Sequence, residues 1–581
     1  MRDSLRQYFV QTVCLTAAFG LTATATAAPA DAKRNALVLD DSSQWRFLGG
    51  ALRVDAEGSI QHPEKRNLHA RAIYMKKAFS DVTVEFDYKA GYLEGGTGTA
   101  GLILRAPDGG RGYMVQFSWN GQTMRAKNFW AGLAELSGDG YLRHLKFNLV
   151  DGVPPETDRW YSVKVVASGP RIRVWVDGFE ALDCNDNKYT SGFIGLAGYG
   201  QFWFRNIRYS GTEANIPTWD GKANIRRLAT VLPLPSNPIN QGCVAPNGDI
   251  IIATGKELLR STDKARTWTK EQLPTHLMDI SGMGNTIHTT ADGRLIAVGN
   301  VGGYITLKQG PHHAFYMSES ADSGKTWSET KLCPLKDDHA WPTNLALNPN
   351  VRGQAYLGPW GPLVETADGT LLRFFLGGPG HMPGYDNILA WGSAHAVARV
   401  FRSTDQGQSW SGPIEIDRPA AYRQPRGSVQ GSLDFTETNA VAMGNTVMSV
   451  TRPIYGPGMW QSWSHDAGAT WDAAARTSFP GYAASMTRTQ NGTIVVAHRF
   501  PGYSINISRD DGRNWDQGTI IDWQPWGQGA LLEVEPNVLL VTYMNIDHGD
   551  WHNLVKTDQS PLLAQRFRIT DDRIIPLGPD D

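Results

Sequence analysis

The chain has 581 residues, too many for one hydrophobic core, so at least two domains are expected. With 41% hydrophobic and 19% charged residues its composition is globular, which excludes a disordered or membrane-embedded chain. A formal net charge of -2 supplies no field to gather nucleic acid or an anionic membrane, so neither is expected as a partner.

Residues 1–27 read as a signal peptide. Arg2 and Arg6 flank a short charged region, Tyr8 to Leu21 is apolar, and Ala25-Thr26-Ala27 supplies an A-x-A cleavage signal. The apolar stretch is too short to span a bilayer, so export to the periplasm or beyond is expected, without membrane insertion. Three cysteines follow, Cys184, Cys243 and Cys333. Their spacing fits neither a disulfide framework nor a metal site, and three separate thiols are expected, although a Cys243–Cys333 bridge is conceivable.

Between Leu37 and Ser210 short alternating runs such as "VTVEFDYKAG", "AGLILRAP", "WYSVKVVASG" and "RIRVWVDGFEAL" each read as a strand bounded by turn residues. Alternation without helical periodicity predicts a β-sandwich over 37–210. Trp119, Trp130 and Trp160 are faces on which sugar rings could stack, although packing explains such residues as well. The polar stretch 211–224, with Pro217, reads as a linker to a second domain over 225–578.

That second domain carries a repeat, S-x-D-x-G-x-[TS]-W. It occurs at Ser320–Trp327, Ser403–Trp410 and Ser464–Trp471, with Asn514 in the Thr place at Ser508–Trp515, and with Ala265 in the Gly place at Ser261–Trp268. Asp ties down a tight turn, Gly takes a positive φ, and Trp packs between adjacent sheets. Spacing runs from 44 residues (Asp466 to Asp510) to 83 (Asp322 to Asp405), so insertions vary between units. A second repeat of apolar strands about an Asp-Gly or Asn-Gly turn ("APNGDIII", "TADGRLIAV", "TADGTLLRFF", "TQNGTIVVA") alternates with the first.

Five copies of this motif resemble the Asp boxes of the sialidase superfamily. The order "WYSVKV", "RIRVWVDG", "GFIGL", "FRNI" in the first domain resembles the concanavalin-like, laminin-G-like jelly rolls of carbohydrate-active proteins. The resemblance implies an all-β chain: a concanavalin-like jelly roll, then a six-bladed β-propeller of sialidase type. The last unit centres on "ALLEVEPNVLLVTYM", and "AQRFRITDDRIIPL" is expected to supply the strand that locks the ring.

The resemblance also implies a site. The stretch from Thr436 through Trp471 resembles the sialidase segment that carries a glutamate and an arginine, which places Glu437 and Arg452 in those roles. Arg499, nine residues before the box at Ser508, resembles another member of the arginine triad. Read on their own, both arginines are strand-end residues. The remaining members are missing: Ser236 to Asn240 stands where the first arginine belongs, "ATGKELLRS" shortens the loop of the acid Asp, and Gln528 stands in the place of the Tyr nucleophile.

Other candidates come from the residues alone. His498 neighbours Arg499 and should point to the opposite face of its strand. Trp460 and Trp526 could serve as sugar platforms. His288 could approach the axis, and the Gly/Pro-rich insertion Gly378–His395 offers His381, Tyr385, Asp386 and His395. Asp547–Asn553 is rich in ligand types but lacks a chelating pattern, and no metal or cofactor is expected.

The expected function is that of an exported glycoside hydrolase acting on a terminal, possibly acidic, sugar of a glycan. Arg452, Arg499, Trp460, Trp526, Gln528 and His498 would contact substrate, and Glu437 would act as a base or tune a nucleophile. A polysaccharide lyase acting on uronates and a non-catalytic glycan-binding protein remain open.

Overall fold

In a computed structural model the described residues run from 35 to 581 with gaps. The longest stretches outside them are 337–355, 379–394, 418–432 and 546–561, and residues 1–34, with the expected signal peptide, also lie outside. Among the described residues the structure is all β, with two short 3-10 turns and no α-helix.

The first domain is organised by one long strand, His69–Ala90, which pairs with Trp45–Gly49, Tyr161–Ser168, Gly192–Tyr199 and Phe202–Ala214. From Gly192–Tyr199 the sheet continues through Thr99–Ala106, Arg111–Asn120, Asn128–Ser137 and Leu142–Leu149. Alternating residues point inward, as in Tyr161–Ser168, where Tyr161, Val163, Val165 and Ala167 are buried and their neighbours are not. They join Val84, Phe86, Phe117, Leu196 and Phe204 in one core. The sandwich edge lies slightly beyond expectation: Phe202–Ala214 stays paired to Ala214, so residues 211–214 belong to the sheet rather than to the linker.

The remaining strands form antiparallel meanders. Their innermost strands are Gln241–Val244, Thr286–Thr289, Tyr356–Glu365, Leu433–Met443, Ser485–Arg488 and Leu531–Glu535. Each lies beside the next, and the last returns beside the first, which is a β-propeller arrangement. The hydrogen-bonded sheets of this part number five, not the six separate blades expected. A parallel pairing of His395 with Leu433 and Ala396 with Asp434 zips two consecutive meanders into one nine-stranded sheet. Closure also uses a strand the sequence did not suggest: Thr230–Val231 pairs with Leu563 and Ala564 in the last sheet.

The five repeated turns share one geometry. In the copy at 320, Ser320 Oγ donates to Asp322 Oδ1 at 2.8 Å and accepts from Gly324 N at 2.9 Å. Asp322 Oδ1 accepts from Thr326 N at 2.8 Å, and Oδ2 from Thr326 Oγ1 at 2.6 Å. These bonds to the charged form, that of the Thr326 hydroxyl first, hold the Asp322 carboxyl down at about 2. Three of the tryptophans lie against the preceding meander: Trp410 meets Phe315 at 5.1 Å, Trp471 meets Phe374 at 6.0 Å, and Trp515 meets Phe479 at 5.0 Å. Cys184, Cys243 and Cys333 are three separate thiols.

The two domains share a sheet. Leu142 pairs with Ile520 and Arg143 with Thr519, so the sandwich strand Leu142–Leu149 continues the outer edge of the meander Ser485–Asp522. Buried side chains cross the seam: Ile520 and Trp523 pack among sandwich residues, and Tyr141 packs among propeller residues.

Candidate functional site

Connections sort by length onto the two ends of the propeller. Turns between first and second strands and between third and fourth strands are tight, such as 245–249, 290–294, 366–370 and the five repeated turns. Strands that reach the opposite end are separated by longer sequence intervals, as between Gln272 and Thr286, Lys336 and Tyr356, Gly378 and His395, Ile416 and Leu433, and Asn545 and Leu562. A scaffold that keeps one rim short and lengthens the other puts its variable, binding surface on the long rim.

Arg452 and Arg499 both stand on that rim, at the ends of the second strands Thr446–Pro453 and Ile494–His498 of adjacent meanders. Glu437 sits near the same end of Leu433–Met443. The register slips between Phe435 and Thr438, so Glu437 lies on a bulge, a device that re-aims a side chain out of the regular pleat. The bulge lets Arg452 Nη1 donate to Glu437 Oε1 at 2.8 Å. The carboxylate is 2% exposed and the guanidinium 17%. Glu437 Oε2 and Arg452 Nε are buried with no hydrogen-bond partner among the described residues.

Arg499 completes the cluster. Its backbone N–H donates to Tyr482 O at 3.1 Å, and the Arg452 guanidinium lies 5.2 Å from the centre of the Tyr482 ring. Burial pulls the Arg499 guanidinium down to about 10, and the charge of Arg452 pulls the same way. Glu437, Tyr482 and Tyr503 oppose that shift, so these four side chains lie within electrostatic reach of Arg499. Burial pushes the Tyr503 phenol well above its usual range. The cluster therefore brings together two guanidinium side chains, one carboxyl side chain and two phenols.

The sequence pairing of Glu437 with Arg452 and Arg499 thus finds a common place. Two other expectations are corrected. Trp460 is no platform: it is buried, its ring meets Phe435 at 5.7 Å, and the Arg476 guanidinium lies 5.5 Å from its centre. His498 is no substrate contact: it is buried, stacks on Phe479 at 5.3 Å, and shares a 2.7 Å hydrogen bond between Nε2 and Asn506 Oδ1.

His288 belongs to the other rim, where its Nε2 lies 3.6 Å from Glu365 Oε2 near the tight turns. Trp526 lies in the short strand Pro525–Trp526, which pairs with Met544 and Asn545 on the long rim. Gln528, His381, Tyr385, Asp386 and 547–553 lie outside the described residues, and His395 is described only as the first residue of its strand. Sequence reading passed over Tyr482 and Tyr503. The signal was their place: both lie in or beside connections of the long rim, immediately around the strand that ends at His498.

Trp130 is not a sugar platform either. It is 1% exposed and stacks on Phe147 at 5.4 Å. The Trp160 ring is covered by Arg205 at 4.1 Å and Lys89 at 5.2 Å.

No curated protein matches the chain. Among solved structures, the chain is similar to a protein of unknown function from Dyadobacter fermentans, with 15% identity and a TM-score of 0.41, over 59% of this chain and 99% of that one. A Hadza microbial sialidase matches with 12% identity and a TM-score of 0.40, over 87% and 98% of the two chains. A leech intramolecular trans-sialidase matches with 11% identity and a TM-score of 0.37, over 84% and 94%. In sequence, residues 37–210, the sandwich, match the family described as a 3-keto-alpha-glucoside-1,2-lyase-like domain.

Proposed function

We propose that the protein is an exported, carbohydrate-active enzyme whose long propeller rim binds an acidic sugar and cleaves its glycosidic bond. One observation carries the reading. Among the described residues, Arg452 is bonded to Glu437, and both lie within electrostatic reach of the buried Arg499, so two guanidinium groups are gathered at one place on the rim. A sugar acid is the ligand class such a pair would take, its carboxylate adding a negative charge beside that of Glu437 and matching the geometry of guanidinium forks.

Arg452, oriented by Glu437, and Arg499 hold the carboxylate. Glu437, with Oε2 still open, is the group that accepts or delivers a proton. Trp526, in the strand paired with Met544 and Asn545, stands on the same rim. The nine-stranded sheet counts as two blades in this reading, which gives a six-bladed ring whose five repeated turns are Asp boxes.

Lyase chemistry is the second reading. It is favoured by the single carboxylate in the described cluster, since arginine neutralisation of a uronate with one base needs no carboxylate pair. The family that residues 37–210 match is likewise described as lyase-like.

The test is turnover by the mature protein on aryl-sialosides, aryl-uronides and uronate polysaccharides, with Glu437→Gln alongside. Release of the aryl group supports hydrolysis, and a rise in ultraviolet absorbance from an unsaturated uronate identifies the lyase. Binding of acidic glycans without turnover, unchanged in Glu437→Gln, would leave a lectin.

A further inference from the structure

We infer that Trp130 of the sandwich is a positioning residue for Arg499 and Arg452, so that the first domain forms part of the binding site; this rests on the reading of the two arginines as the anion-binding pair. The inference follows an unbroken series of ring contacts across the domain seam. Trp130 stacks on Phe147, its neighbour in the sandwich sheet, at 5.4 Å and 26°. Both rings meet Phe500 edge-on, each at 6.2 Å. Phe500 follows Arg499 directly in the chain, and its ring meets Tyr482 at 5.6 Å and 75°. Tyr482 in turn accepts the Arg499 backbone N–H and lies beneath the Arg452 guanidinium.

The physical reason is the place of Arg499. It follows the last paired residue, His498, and opens the connection that returns at Tyr503, held by one backbone bond to Tyr482 O, beyond which the register pairing stops. Side-chain packing must take over, and the packing comes from the sandwich. Trp130, Tyr482 and Phe500 form one buried cluster, with the partly buried Phe147 against it. Edge-to-face rings have a preferred geometry as well as buried area, so the cluster fixes direction and not only proximity. Binding groups need placement to within about 0.5 Å, and a shift of about 1 Å can cost on the order of a hundredfold. Removing the Trp130 ring opens a void into which Phe500 tips. The Arg499 backbone follows, and Tyr482 no longer floors Arg452.

A different seam contact separates positioning from adhesion. Tyr199 stacks on Trp523 at 5.2 Å and 26°, also across the seam, and this pair belongs to a different core cluster from Tyr482 and Phe500. Trp130→Ala, Trp130→Phe and Tyr199→Leu are compared in the full mature chain, with Trp130→Leu in place of alanine should the alanine variant not fold. N-acetylneuraminate and D-glucuronate are titrated by calorimetry, and arginine labelling by phenylglyoxal is mapped by mass spectrometry.

Trp130→Ala should weaken the sugar acid that the wild type binds by at least tenfold and increase labelling of Arg499 and Arg452. Trp130→Phe should restore most of both, and Tyr199→Leu should lower the melting temperature with binding and labelling unchanged. Labelling unmoved by Trp130→Ala, or moved equally by Tyr199→Leu, overturns the inference. A wild type that binds neither acid defeats the anion-site reading instead, and the labelling still decides whether Trp130 positions the arginines.

Discussion

Arg452 is held by Glu437 from one side, Nη1 to Oε1 at 2.8 Å, while the ring of Tyr482 lies 5.2 Å from its guanidinium carbon on another. A guanidinium fixed by an anion and an aromatic face loses little further entropy when a ligand arrives. The same carboxylate offsets part of the positive charge that would attract that ligand, so Glu437 has opposed effects on binding and on proton transfer.

Glu437→Gln separates those effects. Removing the negative charge should tighten binding of a sugar acid severalfold and reduce turnover by about a hundredfold or more, the usual scale for a lost acid–base group. Calorimetry and turnover on one substrate read both. Loss of binding together with turnover would contradict the charge argument.

Arg499→Ala should weaken anion binding by about tenfold to a hundredfold. Arg499→Lys should recover only part of it, because an ammonium keeps the charge but not the planar fork. The dependence of affinity on salt should be shallower in the alanine variant. Equal affinity for neutral and acidic sugars in the wild type would count against both arginines as carboxylate ligands.

Acid stability is set at the domain seam. Burial pulls His498 down to about 4 against the hydrogen bond to Asn506, and burial pulls His144 down to about 4, aided by the charge of His498. The unfolded chain takes up these protons near pH 6.5 and the folded one only near pH 4, so stability falls as pH drops through that window. Each histidine contributes about 3 kcal/mol at most. Asp516, raised by burial to about 6, works oppositely: acidification from pH 6 to 4 favours the fold by about 3 kcal/mol. The net loss between pH 6.5 and 4 should be about 3 kcal/mol, read by urea unfolding at both ends. A flat profile would show that neither histidine is kept neutral.

The repeated turns make a paired prediction. Gly468 has a φ of +79°, and a Cβ there would come within 2.6 Å of Leu372 Cδ2, so Gly468→Ala should cost about 2 kcal/mol. Ala265 fills the equivalent position with a φ of +66° and is buried. Ala265→Gly should change stability by less than about 0.5 kcal/mol, because relief of the left-handed backbone is offset by the lost methyl burial. Chemical denaturation of both variants reads the contrast.

Local rules were legible in the sequence where a residue's role is settled within its own turn or strand. The Ser–Asp–Gly turns and the alternation in Tyr161–Ser168 follow from spacing alone. Placing Glu437 beside Arg452 needed the family resemblance, because the contact depends on a bulge that no residue pattern announces. Trp460 was misjudged since a tryptophan near a candidate arginine looks alike whether it faces the rim or the neighbouring sheet. The parallel pairing at His395 and the pairing of Leu142 with Ile520 join segments distant in sequence, and pairing of that kind leaves no periodic trace. For the same reason the role of Trp130 was hidden: its partners Phe500 and Tyr482 lie in the other domain.

The shared sheet also governs how the molecule can be taken apart. Cutting the chain in the polar stretch after Ala214 looks harmless on paper, yet it would strip Leu142–Leu149 of Thr519 and Ile520 and lay open a bare strand edge beside apolar residues. Such an edge invites pairing with other chains. Either half expressed alone should therefore be found in inclusion bodies or as multimers, and the gene is better handled as a single indivisible piece.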